Sequence, residues 1–394
     1  MEPQTTDPET TEQGRLDAQF MDLALALAER GRGRVSPNPL VGCVIVQGGN
    51  VVGEGWHARA GEPHAELVAL RKAEQAAAGS TCYVTLEPCD HQGRTPPCTE
   101  ALLTAGVARV VVATTDPNPL VNGKGVRRLR EAGIAVEVGV RQRQAETQNE
   151  VFRTNHLQGR PFVLYKTAMS LDGKIAVRTG RSRWITGPSA RARVHHWRDE
   201  YDAVAVGMNT LLLDDPALTT RIPGGRTPTK VVFDSLARTP VTARLFAPSA
   251  DGMPARVIVV VTDDAPAARK QALAAAGAEI VSLPAKNGRP PVPAALAALL
   301  ALGITSIMLE GGGSIAWEFF SANAVDRVAW FVAPKLLGGS AAGPLGGLGV
   351  ASIADAYTLT DVLVETIGPD LLISGKVATP AAQASTGAGD ETGA

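Results

Sequence analysis

Apolar positions in this chain follow two rhythms. From Leu16 they recur at Phe20, Leu23 and Leu27, a spacing that predicts a helix ending at Gly31 and Gly33. Short continuous apolar runs then predict strands at 40-LVGCVIV-46 and 51-VVGEGW-56, joined as a hairpin around 47-QGGN-50. From there helix and strand patterns alternate: a helix over about 64–78, a strand at 81–87, a helix at 97–106, a strand at 107–114, a helix at 124–133 and a strand at 134–140. A second series opens with 161-PFVLYKTAMS-170. It carries strands at 203–207, 230–234, 256–261, 279–283, 305–310 and 326–334, with helices near 188–199, 265–276, 292–302 and 314–322. Strands alternating with helices imply layered α/β sheets. Both ends lack either rhythm, so 1–15 reads as a disordered leader and 377–394 as a disordered tail, too polar to bury a core. Two domains are expected between them, over 16–150 and 160–376, and no internal repeat is visible.

Length agrees with that division, since 394 residues exceed what one ordinary core organises. Lys+Arg 38 against Asp+Glu 39 leaves a net charge of −1, which argues against nucleic acid or an anionic membrane as partner. No apolar run reaches the roughly 18–20 residues of a membrane span, and the acidic first residues do not resemble a secretory signal. A cytoplasmic protein is expected, in which disulfides are disfavoured. Cys43 and Cys82 lie in strand-like runs and read as buried, inert thiols.

Cys89 and Cys98 lie instead in a Pro/Gly-rich loop, 85-TLEPCDHQGRTPPCTE-100, each directly after a proline. Upstream, 63-PHAE-66 starts a helix with His64 and Glu66. One imidazole and two thiolates supply three ligands to a tetrahedral Zn²⁺ and leave the fourth position for water, the arrangement of a catalytic site. Zinc lowers the pKa of that water toward about 7. Glu66, which is not a ligand, is then placed to move a proton from water to a departing amine. His-x-Glu followed by Pro-Cys…Cys is the zinc-deaminase signature, usually as Pro-Cys-x-x-Cys; here eight residues separate the cysteines.

The set 36-SPNPLVGCVI-45, 63-PHAE-66, 85-TLEPCDHQGRTPPC-98 and 116-DPNP-119 closely resembles the deaminase half of the bifunctional riboflavin-biosynthesis deaminase/reductases, across most of 16–150. The resemblance implies a cytidine-deaminase-like three-layer α/β/α domain. Its substrate would be 2,5-diamino-6-(5-phosphoribosylamino)pyrimidin-4-one, deaminated by water at the 2-amino carbon. Substrate contacts are implied at Asn38, His57, Arg94, Asp116 and Asn118. An Asn amide offers donors and acceptors to a pyrimidine edge, and a guanidinium at Arg94 suits phosphate. Taken alone, the two Asn-Pro pairs would read as turn chemistry.

In the second series, 166-KTAMSLDGKIA-176, 182-SRWITG-187 and 209-NTLLLDDPALTTR-221 precede 309-LEGGGSIAWEFF-320, a strand, three glycines and a helix opening with Ser314. Glycines let backbone N–H groups approach a phosphate, although this is not the Gly-x-Gly-x-x-Gly pattern of Rossmann domains. Together these motifs resemble the reductase half of the same family over about 160–376, which implies a dihydrofolate-reductase-like α/β domain using NADPH to deliver hydride to ribose C1′. NADPH contacts are implied at Ala168, Trp184, Thr210, Asp214, Ser235, Gly312, Gly313 and Ser314. Substrate contacts are implied at Lys166, Ser182, Arg198, Leu218, Arg221 and Glu310. Arg198 and Arg221 suit a 5′-phosphate; His195 and His196 have no implied role.

A deaminase acting on a nucleic-acid base shares the His-x-Glu site, but the neutral charge and the absence of a basic aromatic groove speak against it. A structural zinc module would need a fourth protein ligand and leave Glu66 idle. The resemblance implies both activities in one chain, a small-molecule substrate and a homo-oligomer. No 2′-phosphate contact is identifiable from spacing, so NADPH rather than NADH rests on the resemblance alone.

Overall fold

The first helix begins four residues before the apolar rhythm does, because Thr11 caps it. The Thr11 hydroxyl accepts the Gly14 N–H at 3.0 Å, and α1 runs over Glu12–Ala28. Residues 12–15 therefore belong to a helix and not to a disordered leader. A computed structural model describes residues 11–378 apart from 92–96, 120, 249–251 and 253, so residues 1–10 of the expected leader and all but the start of the expected tail lie outside the described residues. The chain divides into two compact units between Gly159 and Arg160.

In the first unit β1 (Gly42–Gln47), β2 (Asn50–Trp56), β3 (Thr81–Val84), β4 (Arg109–Val112) and β5 (Ala135–Val138) form a sheet in the order β2-β1-β3-β4-β5. The β1–β2 hairpin is antiparallel, as is β1 with β3, while β3, β4 and β5 are parallel. Alternation along the strands sends Cys43, Ile45, Cys82, Val84, Val110 and Val112 against α2 (Ala65–Ala73), α3 (Cys98–Thr104) and α4 (Lys124–Glu131). The opposite face, with Val44, Val46, Tyr83 and Val111, packs on α1 and α5 (Gln142–Gln148). The result is a three-layer α/β/α unit. Cys43 and Cys82 are free, buried thiols. α6 (Glu150–Gln158) fills most of the expected linker and ends at Gly159, whose φ of 64° suits glycine; its polar composition hid it.

One close approach sets the height of α2 above the sheet. A Cβ on Gly53 would meet Ala69 O at 2.3 Å, and one on Gly55 would meet Ala65 O at 2.4 Å. Only glycine on the strand, facing alanines on the helix, allows this contact.

In the second unit β6 (Phe162–Ser170), β7 (Ala203–Gly207), β8 (Thr229–Phe233), β9 (Val257–Thr262), β10 (Ala278–Leu283), β11 (Ser306–Leu309), β12 (Arg327–Ala333), β13 (Thr358–Ile367) and β14 (Asp370–Ala378) make one sheet. Its order is β10-β9-β8-β7-β11-β6-β12-β14-β13, parallel from β10 to β12 and antiparallel in the closing hairpin. Val163, Tyr165, Ala205, Val231, Val260 and Leu309 pack on α10 (Val292–Ala301) and α11 (Gly313–Ser321). α7 (Pro188–Glu200) meets β12 through Trp197 and Phe331, with ring centroids 5.5 Å apart. α8 (Met208–Asp214) and α9 (Ala267–Ala275) complete the helices. The periodicity gives no hint of α8, β13 or β14. β13 is exposed at most of its positions, so no buried face marks it. β14 carries the strand pattern through Ala378, two residues into the expected tail.

Replacing Gly55 by Ala forces α2 off β2. The expected cost is about 1–3 kcal/mol, read as a lower calorimetric Tm for the first unit together with reduced bound zinc. An unchanged Tm would show that the helix has room to shift.

Candidate active sites

Pro63 fixes the chain ahead of α2, and His64 takes the helix N-cap in extended backbone, φ −68° and ψ 159°. Pro97 plays the same part for α3 and makes Cys98 its first residue. Cys89 lies in the loop after β3. The Cys98 N–H points at its sulfur from 3.4 Å, and the Thr99 N–H donates to the Cys89 carbonyl at 3.2 Å. The Thr99 hydroxyl holds Asp90 at 2.7 Å. His64 Nδ1 thereby comes 3.2 Å from Cys98 Sγ and 3.6 Å from Cys89 Sγ, all three ligand atoms lying within 4.8 Å of one another. Zinc bonds of about 2.3 Å to sulfur and about 2.0 Å to nitrogen, at tetrahedral angles, place N and S about 3.5 Å apart. The donor set fits zinc with one position to spare.

The electrostatics agree with a cation site. The hydrogen bond from Cys98 holds the Cys89 thiol down to about 4, while the Cys89 sulfur pushes Cys98 up, so the pair shares one proton. A dication favours both as thiolates. Glu66 is 3% exposed, and burial, reinforced by Cys89, lifts its carboxyl to about 7. A carboxyl in that range both accepts and releases protons at neutral pH.

His57 lies edge-on to His64, with ring centroids 5.7 Å apart. Its Nδ1 is 3.2 Å from the Pro63 carbonyl, which only accepts, so the ring proton sits on Nδ1. Nε2 then accepts the Asn38 amide N–H at 3.0 Å, which fixes how Asn38 faces the site. Asp116 Oδ1 accepts the Asn118 N–H at 2.8 Å, so one carboxylate oxygen is spent on the turn. Arg94 lies outside the described residues.

Sequence reasoning missed Glu87. This buried carboxylate accepts the N–H groups of Asp116 at 3.2 Å, Gly123 at 2.9 Å and Val126 at 3.1 Å. One side chain thus ties the Asp116–Asn118 loop and the start of α4 to the segment carrying Cys89. Gly125 closes the junction, since a Cβ there would meet Pro88 O at 2.0 Å. The available signal was an acid at a strand end directly before Pro-Cys.

In the second unit two cavities meet. The larger, about 640 Å³, is walled by Ala168, Thr210, Asp214, Ser235, Gly312, Gly313 and Ser314. The smaller, about 300 Å³, is walled by Ser182, Arg198, Leu218 and Arg221. Lys166, Ala168, Ser182, Thr210, Asp214 and Glu310 line both. Trp184, implied as a cofactor contact, lines the smaller cavity; it is 58% exposed, with the Arg191 guanidinium 4.5 Å over its ring.

Glu310 is the electrostatic centre of the junction. Arg198 grips it through Nε at 2.7 Å and Nη2 at 3.0 Å, and Lys166 Nζ lies 3.5 Å away. Burial alone would raise the Glu310 carboxyl, but Arg198 and Lys166 hold it at about 2. Arg198 also donates Nη1 to Thr219 O at 3.0 Å, which leaves only its Nη1–Nη2 edge for an anion. Arg221 has no ion pair among the described residues. The glycine turn after β11 is tightly packed: a Cβ on Gly311 would meet Ile315 at 2.1 Å and one on Gly313 would meet Gly343 O at 2.7 Å. The Thr210 hydroxyl accepts the Gly312 N–H at 3.1 Å and steadies that turn. This chemistry suits a dinucleotide: backbone that lets phosphate come close, beside a fixed ammonium and carboxylate.

Residues 15–114 match the cytidine and deoxycytidylate deaminase zinc-binding region, and residues 161–373 match the RibD C-terminal domain. Riboflavin biosynthesis protein RibD of Actinobacillus pleuropneumoniae is 41% identical over 365 residues, 92% of this chain and 96% of that one. The chain belongs to the RibD family. RibD of Escherichia coli (strain K12) is likewise 41% identical, over 91% of this chain and 98% of that one. The structure of Acinetobacter baumannii RibD superposes with a TM-score of 0.81 at 38% identity, covering 93% of this chain and 100% of that one. A Thermotoga maritima diaminohydroxyphosphoribosylaminopyrimidine deaminase/5-amino-6-(5-phosphoribosylamino)uracil reductase gives 0.80 at 35%, with the same coverage. As a RibD protein the chain is a bifunctional riboflavin-biosynthesis enzyme, a zinc-dependent deaminase and an NADPH-dependent reductase.

Glu87→Ala leaves three backbone N–H groups without their acceptor, and the expected loss in deaminase kcat/KM is about ten- to a hundredfold. Ammonia release and zinc content, measured side by side, separate a displaced substrate loop from a lost metal. A variant with unchanged kcat/KM would remove Glu87 from the site.

Proposed function

We propose that the first unit removes the 2-amino group of 2,5-diamino-6-(5-phosphoribosylamino)pyrimidin-4-one, and that the second reduces the ribosyl group of the product to ribityl. The observation that carries the first step is a three-ligand zinc set beside a buried glutamate that is not a ligand. His64, Cys89 and Cys98 would hold the zinc, which when bound supplies a water ionised near neutral pH. Glu66 takes a proton from the attacking water and gives it to the departing amine, which leaves as ammonia. Asn38, oriented by His57, meets the pyrimidine edge together with Asp116 and Asn118. Arg94 is assigned to the phosphate by family resemblance alone.

NADPH, when bound along the larger cavity, supplies a hydride. Ala168, Thr210, Asp214, Ser235 and the turn at Gly312, Gly313 and Ser314 line its course, and Trp184, on the wall of the adjoining smaller cavity, completes its contacts. Lys166 and Glu310 hold the sugar hydroxyls at the junction, and the Lys166 ammonium is the proton source for the ring oxygen when the C1′–O4′ bond opens. Arg221 and the free edge of Arg198 take the 5′-phosphate, with Ser182 and Leu218 shaping the wall. The deaminase occupies the unit that ends at Gly159 and the reductase the unit from Arg160.

A homo-oligomer is supported by the β13–β14 edge, where Leu363 is 61% and Val364 63% exposed on an edge strand. Thiolate ligands need a reducing compartment, which supports the cytoplasm; no helix among the described residues is long and apolar enough to cross a membrane.

Glu66→Gln should keep its zinc and lose ammonia release by about 10²- to 10⁴-fold, yet still oxidise NADPH when given the deaminated intermediate. Wild-type ammonia release in this variant would overturn the role of Glu66. Leu363→Asp should shift the protein to a smaller species in light scattering; an unchanged mass would place the interface elsewhere.

A further inference from the structure

Asn38 stands on the loop that leads into β1, where no strand ladder fixes the backbone. Two contacts near it steady the residue: its N–H donates to the Val35 carbonyl at 2.8 Å, and its side-chain amide reaches His57 Nε2 at 3.0 Å. A third hold on the loop comes from a residue distant in sequence. Asn149 ends α5 and begins α6, and its backbone is engaged in those helices, the N–H with the Ala145 carbonyl at 3.1 Å and the carbonyl with the Arg153 N–H at 2.9 Å. Its side chain, 3% exposed, reaches Leu40.

Asn149 Oδ1 accepts the Leu40 N–H at 2.8 Å, and Nδ2 donates to the Leu40 carbonyl at 2.8 Å. A backbone N–H only donates and a carbonyl only accepts, so this pair also fixes which way round the amide sits. The side chain does for Leu40 what a neighbouring strand does for a paired residue, just ahead of β1. Val41, the next residue, accepts the His57 N–H at 2.9 Å. The grip thus falls between the stretch carrying Asn38 and the residue that orients it. We propose that Asn149 is a positioning residue of the deaminase: by holding both backbone polar groups of Leu40 it sets where the Asn38 amide stands, and so how tightly the aminopyrimidine binds. This rests on Asn38 meeting the substrate.

This role separates from that of the zinc set. His64 caps α2, Cys98 opens α3 and Cys89 lies in the loop after β3, and none of these segments carries Leu40 or Asn149. Without the Asn149 amide, a buried N–H and carbonyl lose their partners, and the loop shifts to regain them. Substrate then binds less well through a displaced Asn38, while Glu66 and the three ligands act on bound substrate as before. An aspartate at this position separates the hydrogen bonds from the shape. Ionised, it accepts the Leu40 N–H but has no proton for the Leu40 carbonyl; protonated, it again gives one hydrogen bond and takes one. Burial and the facing carbonyl raise the pKa of such an aspartate. The grip is therefore present below that raised pKa and lost as pH rises through it.

The test compares ammonia release by the full-length zinc enzyme in wild type, Asn38→Ala, Asn149→Ala and Asn149→Asp, with zinc content and NADPH oxidation on the deaminated intermediate measured alongside. Asn149→Ala should raise the KM of deamination about ten- to a hundredfold, with kcat, zinc content and reductase turnover close to wild type. Asn149→Asp should match it at about pH 8 and return toward wild type by about pH 6, read as a ratio to wild type at each pH so that titration of the zinc site cancels. An unchanged KM in Asn149→Ala overturns the proposal. Loss of zinc together with kcat in both variants also overturns it, because Asn149 would then only prop the fold. Where Asn149→Ala does not fold, Asn149→Asp decides: equal impairment at both pH values overturns the proposal. An Asn38→Ala enzyme with wild-type KM would instead remove Asn38 from the pyrimidine edge, and this inference with it.

Discussion

The deaminase centre depends on how closely α2 can lie on β2. Two glycines on the strand and a row of alanines on the helix remove the side chains that would otherwise hold the elements apart. That contact fixes the height of the α2 N-terminus, and with it His64 and Glu66. The cysteines arrive from another direction, on the loop after β3 and the first turn of α3. A zinc site tolerates errors of a few tenths of an ångström. Small residues at one interface therefore matter as much to the chemistry as the ligands themselves.

The reductase half solves a different electrostatic problem. Glu310 must stay ionised although the protein buries it, and two cations from separate elements make that possible. Arg198 comes from α7 and Lys166 from β6, so the pairing also locks the two walls of the junction together. Removing either cation would leave a buried charge short of its partner, which is far more disruptive than losing a surface ion pair. The same arrangement spends most of the Arg198 guanidinium on Glu310 and the Thr219 carbonyl, whereas Arg221 has no ion pair among the described residues.

Within each unit, backbone geometry is settled by groups that never touch the reacting atoms. Glu87 gathers three N–H groups in the first unit. In the second, Asp172 accepts the Ser170 hydroxyl at 2.5 Å and the Gly338 N–H at 2.6 Å, joining the loop after β6 to the segment after β12. Both acids are short-range staples between loops distant in sequence. Loops held this way keep a site rigid where no regular hydrogen-bond ladder is available.

The sequence by itself determined the layered α/β class, most strands and helices, and the zinc set of His64, Cys89 and Cys98 with Glu66. Strand and helix periods are local, and ligand chemistry is written in residue types at short spacing. It did not reveal α5, α6 or α8, whose faces are polar or short, or the β13–β14 hairpin, whose exposed positions leave no alternation to detect. The tertiary structure alone decided that Glu87 is a hub, that Arg198 is largely spent on Glu310, that Trp184 faces the smaller cavity, and that Asn149 grips the Leu40 backbone. Each of these depends on which backbone N–H or charge comes within about 3–4 Å of a side chain from a distant segment. Spacing along a chain does not encode that distance; packing does.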